Sequence, residues 1–150
     1  MRHHLVLRVI AKLLIPLILL FALYVQFHGD FGPGGGFQAG VIFGSAFILY
    51  GLIFGANTAR RVATPEVVRV LAACGVLLYA GVGVVAILRG GNYLQYRVLA
   101  ATATGGEHLG IFLIEFGVGL TVAMIMIGLF YCFTGYRPSD HNNGTHPHDA

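Results

Sequence analysis

Four long apolar stretches, separated by short polar or glycine-rich joints, set the pattern of this chain. No Asp, Glu, Lys or Arg occurs in residues 13–29, 31–59, 70–88 or 116–136. Each run holds the ~20 residues that a helix needs to cross a hydrocarbon core. The runs are continuously apolar rather than alternating with a period of two, which favours helices over a barrel. The pattern therefore predicts an all-α integral membrane protein, a bundle of four transmembrane helices over about 5–27, 37–54, 64–88 and 107–133. Residues 1–133 form the membrane domain, and the polar, His-rich segment 134–150 reads as a disordered tail.

The joints carry their own signals. Pro16 removes one backbone donor inside the first helix and should kink it. Between the first two helices lies His28-Gly-Asp30-Phe-Gly-Pro33-Gly34-Gly35-Gly36-Phe37, too rich in glycine to start as helix. Ala56 to Ala63 reads as a short polar link. Thr64 suits an N-cap, Pro65 the first helical position, and Glu66 the positive end of the dipole. Thr104-Gly-Gly-Glu107 has the form of a capping box and predicts the start of the fourth helix.

Composition sharpens the reading. The 150 residues are 57% apolar and 10% charged, whereas a soluble domain carries roughly a quarter charged residues. The net charge of +3 is the cation excess of cytoplasmic loops rather than a nucleic-acid signal. With the N-terminus inside, Arg2, Arg8, Lys12, Arg60, Arg61, Arg69 and Arg137 share the inner side, against Arg89 and Arg97 outside. Seven against two predicts both termini in the cytoplasm. Arg2, Arg8 and Lys12 before an apolar stretch resemble a signal peptide, but no small-x-small cleavage site follows, so a retained helix is expected. Cys74 and Cys132 lack metal or redox spacing and read as small buried residues.

Glu115 is the sharpest chemical signal, placed about two turns inside the fourth helix, on the order of 10 Å below the outer boundary. A charge at such depth costs roughly 2.5–3.5 kcal/mol on insertion scales, so Glu115 must pair, meet water or hold a proton. It serves either an ion or proton path or a bond to a neighbouring helix. Lys12 sits nearer the inner face and can snorkel to the interface. Depth arithmetic leaves roughly 10 Å between the two, so no direct pair is expected. His28 and Asp30 flank the outer turn and complete the ion-path candidates, against the plainer reading of solvated loop groups. Pro33, Gly34, Gly35, Gly36 and Phe37 form a structural turn. Gly36, Gly40 and Gly44 place a small-residue face on the second helix, suited to an internal neighbour or to another subunit. No metal site and no cofactor is indicated, and no haem-type His pair or Cys cluster is present.

The stretch Val25-Gln-Phe-His28-Gly-Asp-Phe-Gly-Pro33-Gly-Gly-Gly36-Phe37-Gln38-Ala-Gly40 closely resembles the signature of the MnhB family of small membrane subunits, found in the Mrp-type multisubunit sodium/proton antiporters of bacteria and archaea. Glu115-Phe-Gly-Val-Gly-Leu-Thr-Val is similar to that family's acidic segment, where Asp is more usual. Asp30 stands where the family often has a second His. The resemblance covers about residues 9–133.

It implies an accessory membrane subunit without catalytic activity of its own, with Na+ and H+ as the ions moved by the whole complex. The implied partners are other Mrp antiporter subunits and membrane lipid, in a prokaryotic plasma membrane. Two alternatives stay open: a purely structural scaffold subunit, and a membrane-arm subunit of a related energy-converting hydrogenase.

Overall fold

A computed structural model of the chain describes residues 2–29, 33–99 and 102–135. It contains α1 (Arg2–His28), α2 (Gly36–Phe54), α3 (Ala56–Val62), α4 (Pro65–Leu88) and α5 (Ala103–Gly135), with a 3₁₀ turn at Tyr96–Val98. No strand occurs among the described residues. Four of the helices, α1, α2, α4 and α5, are long and apolar enough to cross a membrane. The all-α bundle of four spans read from the sequence is the observed architecture, and the chain is a multi-pass membrane protein.

α5 is the centre of the bundle. It packs against α2 on one side and α4 on the other, while α1 lies mainly on α2. Burial follows that order: 33% of the apolar window is buried in α5 and 11% in α1. Leu13, Leu17, Leu20 and Phe21 of α1 all face outward. Such a surface is stable only against acyl chains or other apolar helices.

Glycine decides how closely the helices approach. Gly40 and Gly44 of α2 are buried against α5, where an added Cβ would meet Gly119 O at 2.5 Å and Met126 Cβ at 3.0 Å. The small-residue face of α2 therefore serves an internal neighbour. On the other side of α5, Gly117 faces Gly75 of α4, with a Cβ on Gly117 standing 2.9 Å from Gly75 O. A cluster of Ala59, Val68, Ala123, Met124, Ile127, Phe130 and Tyr131 closes the end where α3 sits.

The structure redraws several boundaries. α1 extends back to Arg2, with its apolar span over Leu5–His28 close to the one read from the sequence, and α2 begins at Gly36, beside the expected start at about 37. The expected polar link is largely helix α3, because Gly55, at φ +99°, turns the chain and lets Ala59 bury fully beneath Gly51 and Phe130. Thr64 caps α4 as expected, accepting from Val67 N–H at 3.4 Å. The box at Thr104 does not start α5, which begins at Ala103. Glu107 is instead held by Arg97, whose Nε donates to Oε1 at 2.7 Å. α5 runs on through Thr134 and Gly135, so the tail begins later than expected; residues 136–150 lie outside the described residues. Cys74 and Cys132 are exposed on the bundle surface rather than buried, because their helix faces turn away from the core.

Candidate functional site

α5 carries Glu115 to the point where α1 ends and α2 begins. Eight residues separate it from Glu107, about 12 Å of helix. The Arg97–Glu107 pair is largely exposed and marks the wet end of α5. Glu115 thus lies about two helical turns along α5 from that pair.

Its carboxylate rests on glycine backbone. A Cβ on Gly29 would stand 2.7 Å from Glu115 Oε2 and 3.1 Å from Oε1, and one on Gly35 3.4 Å from Oε1. Gly36 is closer still, since a Cβ there would run into the carbonyl oxygen of Glu115 itself. Gly35 adopts φ +135°, a conformation that side chains resist. Its N–H donates to Val25 O at 3.4 Å, folding the turn back onto the last turn of α1. Only glycine lets the chain pass this close to the acid.

Electrostatics follow from the same geometry. Gly35 is the N-cap of α2 and offers no side-chain cap. The N–H groups of a first helical turn lack intrahelical partners, and the dipole there favours negative charge. The Glu115 carboxylate lies beside this end and is not without a partner. Irregular backbone at membrane depth is tolerated where protein buries it or where it lines a cavity. Gly35 and Gly36 are buried, and a cavity of about 300 Å³ adjoins them, reaching Glu115, Phe37 and Val118. A carboxylate so placed can exchange a proton or attract a small cation.

The other candidates are not gathered here. Lys12 is exposed on α1, 17 residues before Gly29, or about 25 Å along the helix. The separation exceeds the roughly 10 Å expected from helix rise, because Glu115 lies level with the far end of α1. His28 is near the turn and half-buried, but its ring stacks on Tyr24 at 5.1 Å. Asp30 lies outside the described residues. Pro33 and Phe37 are exposed at the outer side of the turn. No group of three His, Cys, Asp or Glu able to hold a metal occurs among the described residues.

Sequence reasoning passed over Gln26. It is 8% exposed, and its Nε2 has no hydrogen-bond partner. Its Oε1 faces Gly119, one turn along α5 from Glu115, at 2.8 Å from where a Cβ would stand. Gln26 is the polar member of an otherwise apolar cavity of about 300 Å³ shared by all four spans, including Leu23, Phe43, Leu71 and Met124. An amide inside a charge-free run was the available signal.

Known proteins share this sequence pattern. Residues 6–128 match a family described as a domain related to the MnhB subunit of the Na+/H+ antiporter. The chain is 33% identical over 135 residues to proteins named putative antiporter subunit mnhB2 from Staphylococcus aureus strains Newman, JH1 and Mu3. The match covers 88% of this chain and 95% of each relative.

Proposed function

The chain belongs to the MnhB-related family, and on that premise we propose that it is an accessory membrane subunit of a multisubunit Na+/H+ antiporter, with Glu115 as its ion- or proton-handling group. The observation that carries the site is the seating of the Glu115 carboxylate against Gly29 and Gly35, with its backbone carbonyl against Gly36 at the start of α2. An acid needed only to join helices does not require two glycines cleared around its carboxylate.

The accessory role is supported by where the polar groups stop. Below Glu115 comes Gln26, and beyond it the cavity is lined by Ala22, Leu23, Phe43, Leu71, Ala123 and Met124. Apart from Gln26, that lining offers an ion no polar side chain. A path across the membrane is then completed by other subunits of the antiporter, and the chain has no catalytic activity of its own. The excess of Lys and Arg at the end bearing α3 supports a prokaryotic plasma membrane orientation with both termini cytoplasmic.

The test uses the intact complex in everted membrane vesicles, with sodium-dependent proton movement followed by a pH-sensitive dye. Glu115→Gln is expected to lower the sodium-dependent rate severalfold while the subunit composition stays unchanged. Normal rates in a normally assembled complex would defeat the role given to Glu115. Mass spectrometry of the co-purified subunits separates an antiporter from a hydrogenase membrane arm.

A further inference from the structure

The end of the bundle opposite Glu115 holds a groove that the ion-handling reading does not use. It runs between the first turns of α4 and the last turns of α5, has a volume of about 470 Å³, and is bounded at its mouth by Arg60 and Arg69. Val68, Met124, Ile125 and Leu129 form its walls. Gly128 forms its floor, where a Cβ would meet only Val68 Cγ1 at 3.8 Å. From Cys132 to Met124 the groove follows eight residues of α5, about 12 Å down from the mouth. Ile125 and Leu129 are half exposed along it.

The mouth is cationic, and among the described residues nothing supplies a counter-charge there. Arg60 is bound to the end of α5: its Nη2 donates to Tyr131 O at 2.9 Å, and its guanidinium lies 5.5 Å from the Tyr131 ring centroid. That contact fixes the group but supplies no anion, and Arg60 Nε is buried without a partner. Among the described residues, no carboxylate lies within ion-pair distance of Arg60, Arg61 or Arg69. Glu66 is on the same turn of α4 but does not line the groove.

A soluble anion has no use for the apolar length below the arginines, and an uncharged lipid has no use for the arginines. A transmembrane helix could fill the apolar length but would leave the cations at the mouth unanswered. An amphiphile with a negative head and an acyl tail satisfies both parts, and basic pockets between helices are where anionic headgroups bind. We propose that this groove binds an anionic phospholipid, its phosphate held by Arg60 and Arg69 and one acyl chain lying over Gly128.

The experiment is native mass spectrometry of the detergent-purified full-length chain, titrated with phosphatidylglycerol, with phosphatidylcholine of the same acyl chains, and with inorganic phosphate. Phosphatidylglycerol is expected to bind in preference to phosphatidylcholine. Arg69→Gln should weaken phosphatidylglycerol by about fivefold, the worth of one basic residue at an anionic surface. Gly128→Leu fills the groove and should remove phosphatidylglycerol binding with both arginines in place. Circular dichroism checks that both variants remain folded. Equal binding of the two lipids, or variants that bind phosphatidylglycerol as the wild type does, overturns the proposal. So does displacement by inorganic phosphate as effective as displacement by free phosphatidylglycerol, which would make the site one for a bare anion.

Discussion

The backbone carbonyl of Glu115 lies against Gly36, with no room between them for a single methyl group. One contact therefore fixes three things: how close α2 comes to α5, the depth of the glycine turn, and the position of the acid relative to the start of α2.

Gly36→Ala should destabilise the chain by about 1–3 kcal/mol, the usual cost of overpacking. The obstacle is backbone, so it cannot swing aside. Gly81→Ala is the control, because nothing lies within 4 Å of that Cβ and alanine favours a helix interior over glycine by up to about 1 kcal/mol. Thermal unfolding in detergent, followed by circular dichroism, should show a lower midpoint for the first and an equal or higher one for the second. Equal midpoints would mean that the helices are not in close contact at Gly36.

Gly29→Ala addresses the acid without removing it. The new methyl would press chiefly on Glu115 Oε2, the end of a flexible side chain, and would stand 3.1 Å from Gly35 Cα, so the turn must give slightly as well. The fold should survive, with the carboxylate moved off its seat. Sodium-dependent proton movement by the complex should fall while its subunit composition and melting behaviour change little. Full activity in this variant would show that the seat is not needed.

Gln26→Leu removes a buried amide nitrogen that has no partner. An unsatisfied buried polar group costs about 1–3 kcal/mol, so the isolated chain should melt at a higher temperature than wild type. A lower midpoint would show that the amide is paired within this chain. If a neighbouring subunit supplies its acceptor, the same substitution should weaken co-purification of that subunit.

The loop between α4 and α5 should respond to alkali through Tyr96. Its ring lies on Gly110, and burial, followed by the neighbouring Tyr79 and Tyr93, raises its pKa above the ordinary tyrosine value. The folded state thus prefers the neutral phenol. Its contribution is intact below the unfolded value of about 10 and is lost as pH climbs through that value to the raised one. Wild type should lose midpoint stability in that window more steeply than Tyr96→Phe. Parallel profiles would remove Tyr96 from the alkaline transition.

The spans and the cap at Thr64 were legible because both rest on local chemistry. A charge-free run of about 20 residues has one stable use, and a threonine before Pro65 needs no distant partner. The start of α5 was legible to within one residue, but not what Glu107 does there. The Thr104–Glu107 spacing is that of a capping box, yet Glu107 is held by Arg97 from the preceding loop. The small-residue face at Gly40 and Gly44 was visible, but only packing could assign it to α5. Arg60 read as one topology charge among seven, and its contact with Tyr131 joins residues 71 positions apart.

By itself, then, the sequence determined that four helices are long and apolar enough to cross a membrane, that one carries an acid within its apolar run, and that a glycine turn resembles a known family's. Hydrophobic length and backbone freedom are written residue by residue, so they can be read that way. Only the tertiary structure decided that the glycines and the acid form one site, that Lys12 and His28 stand apart from it, and that Gln26 belongs beside it. Those are relations between helices, fixed by how closely α1, α2 and α5 can approach.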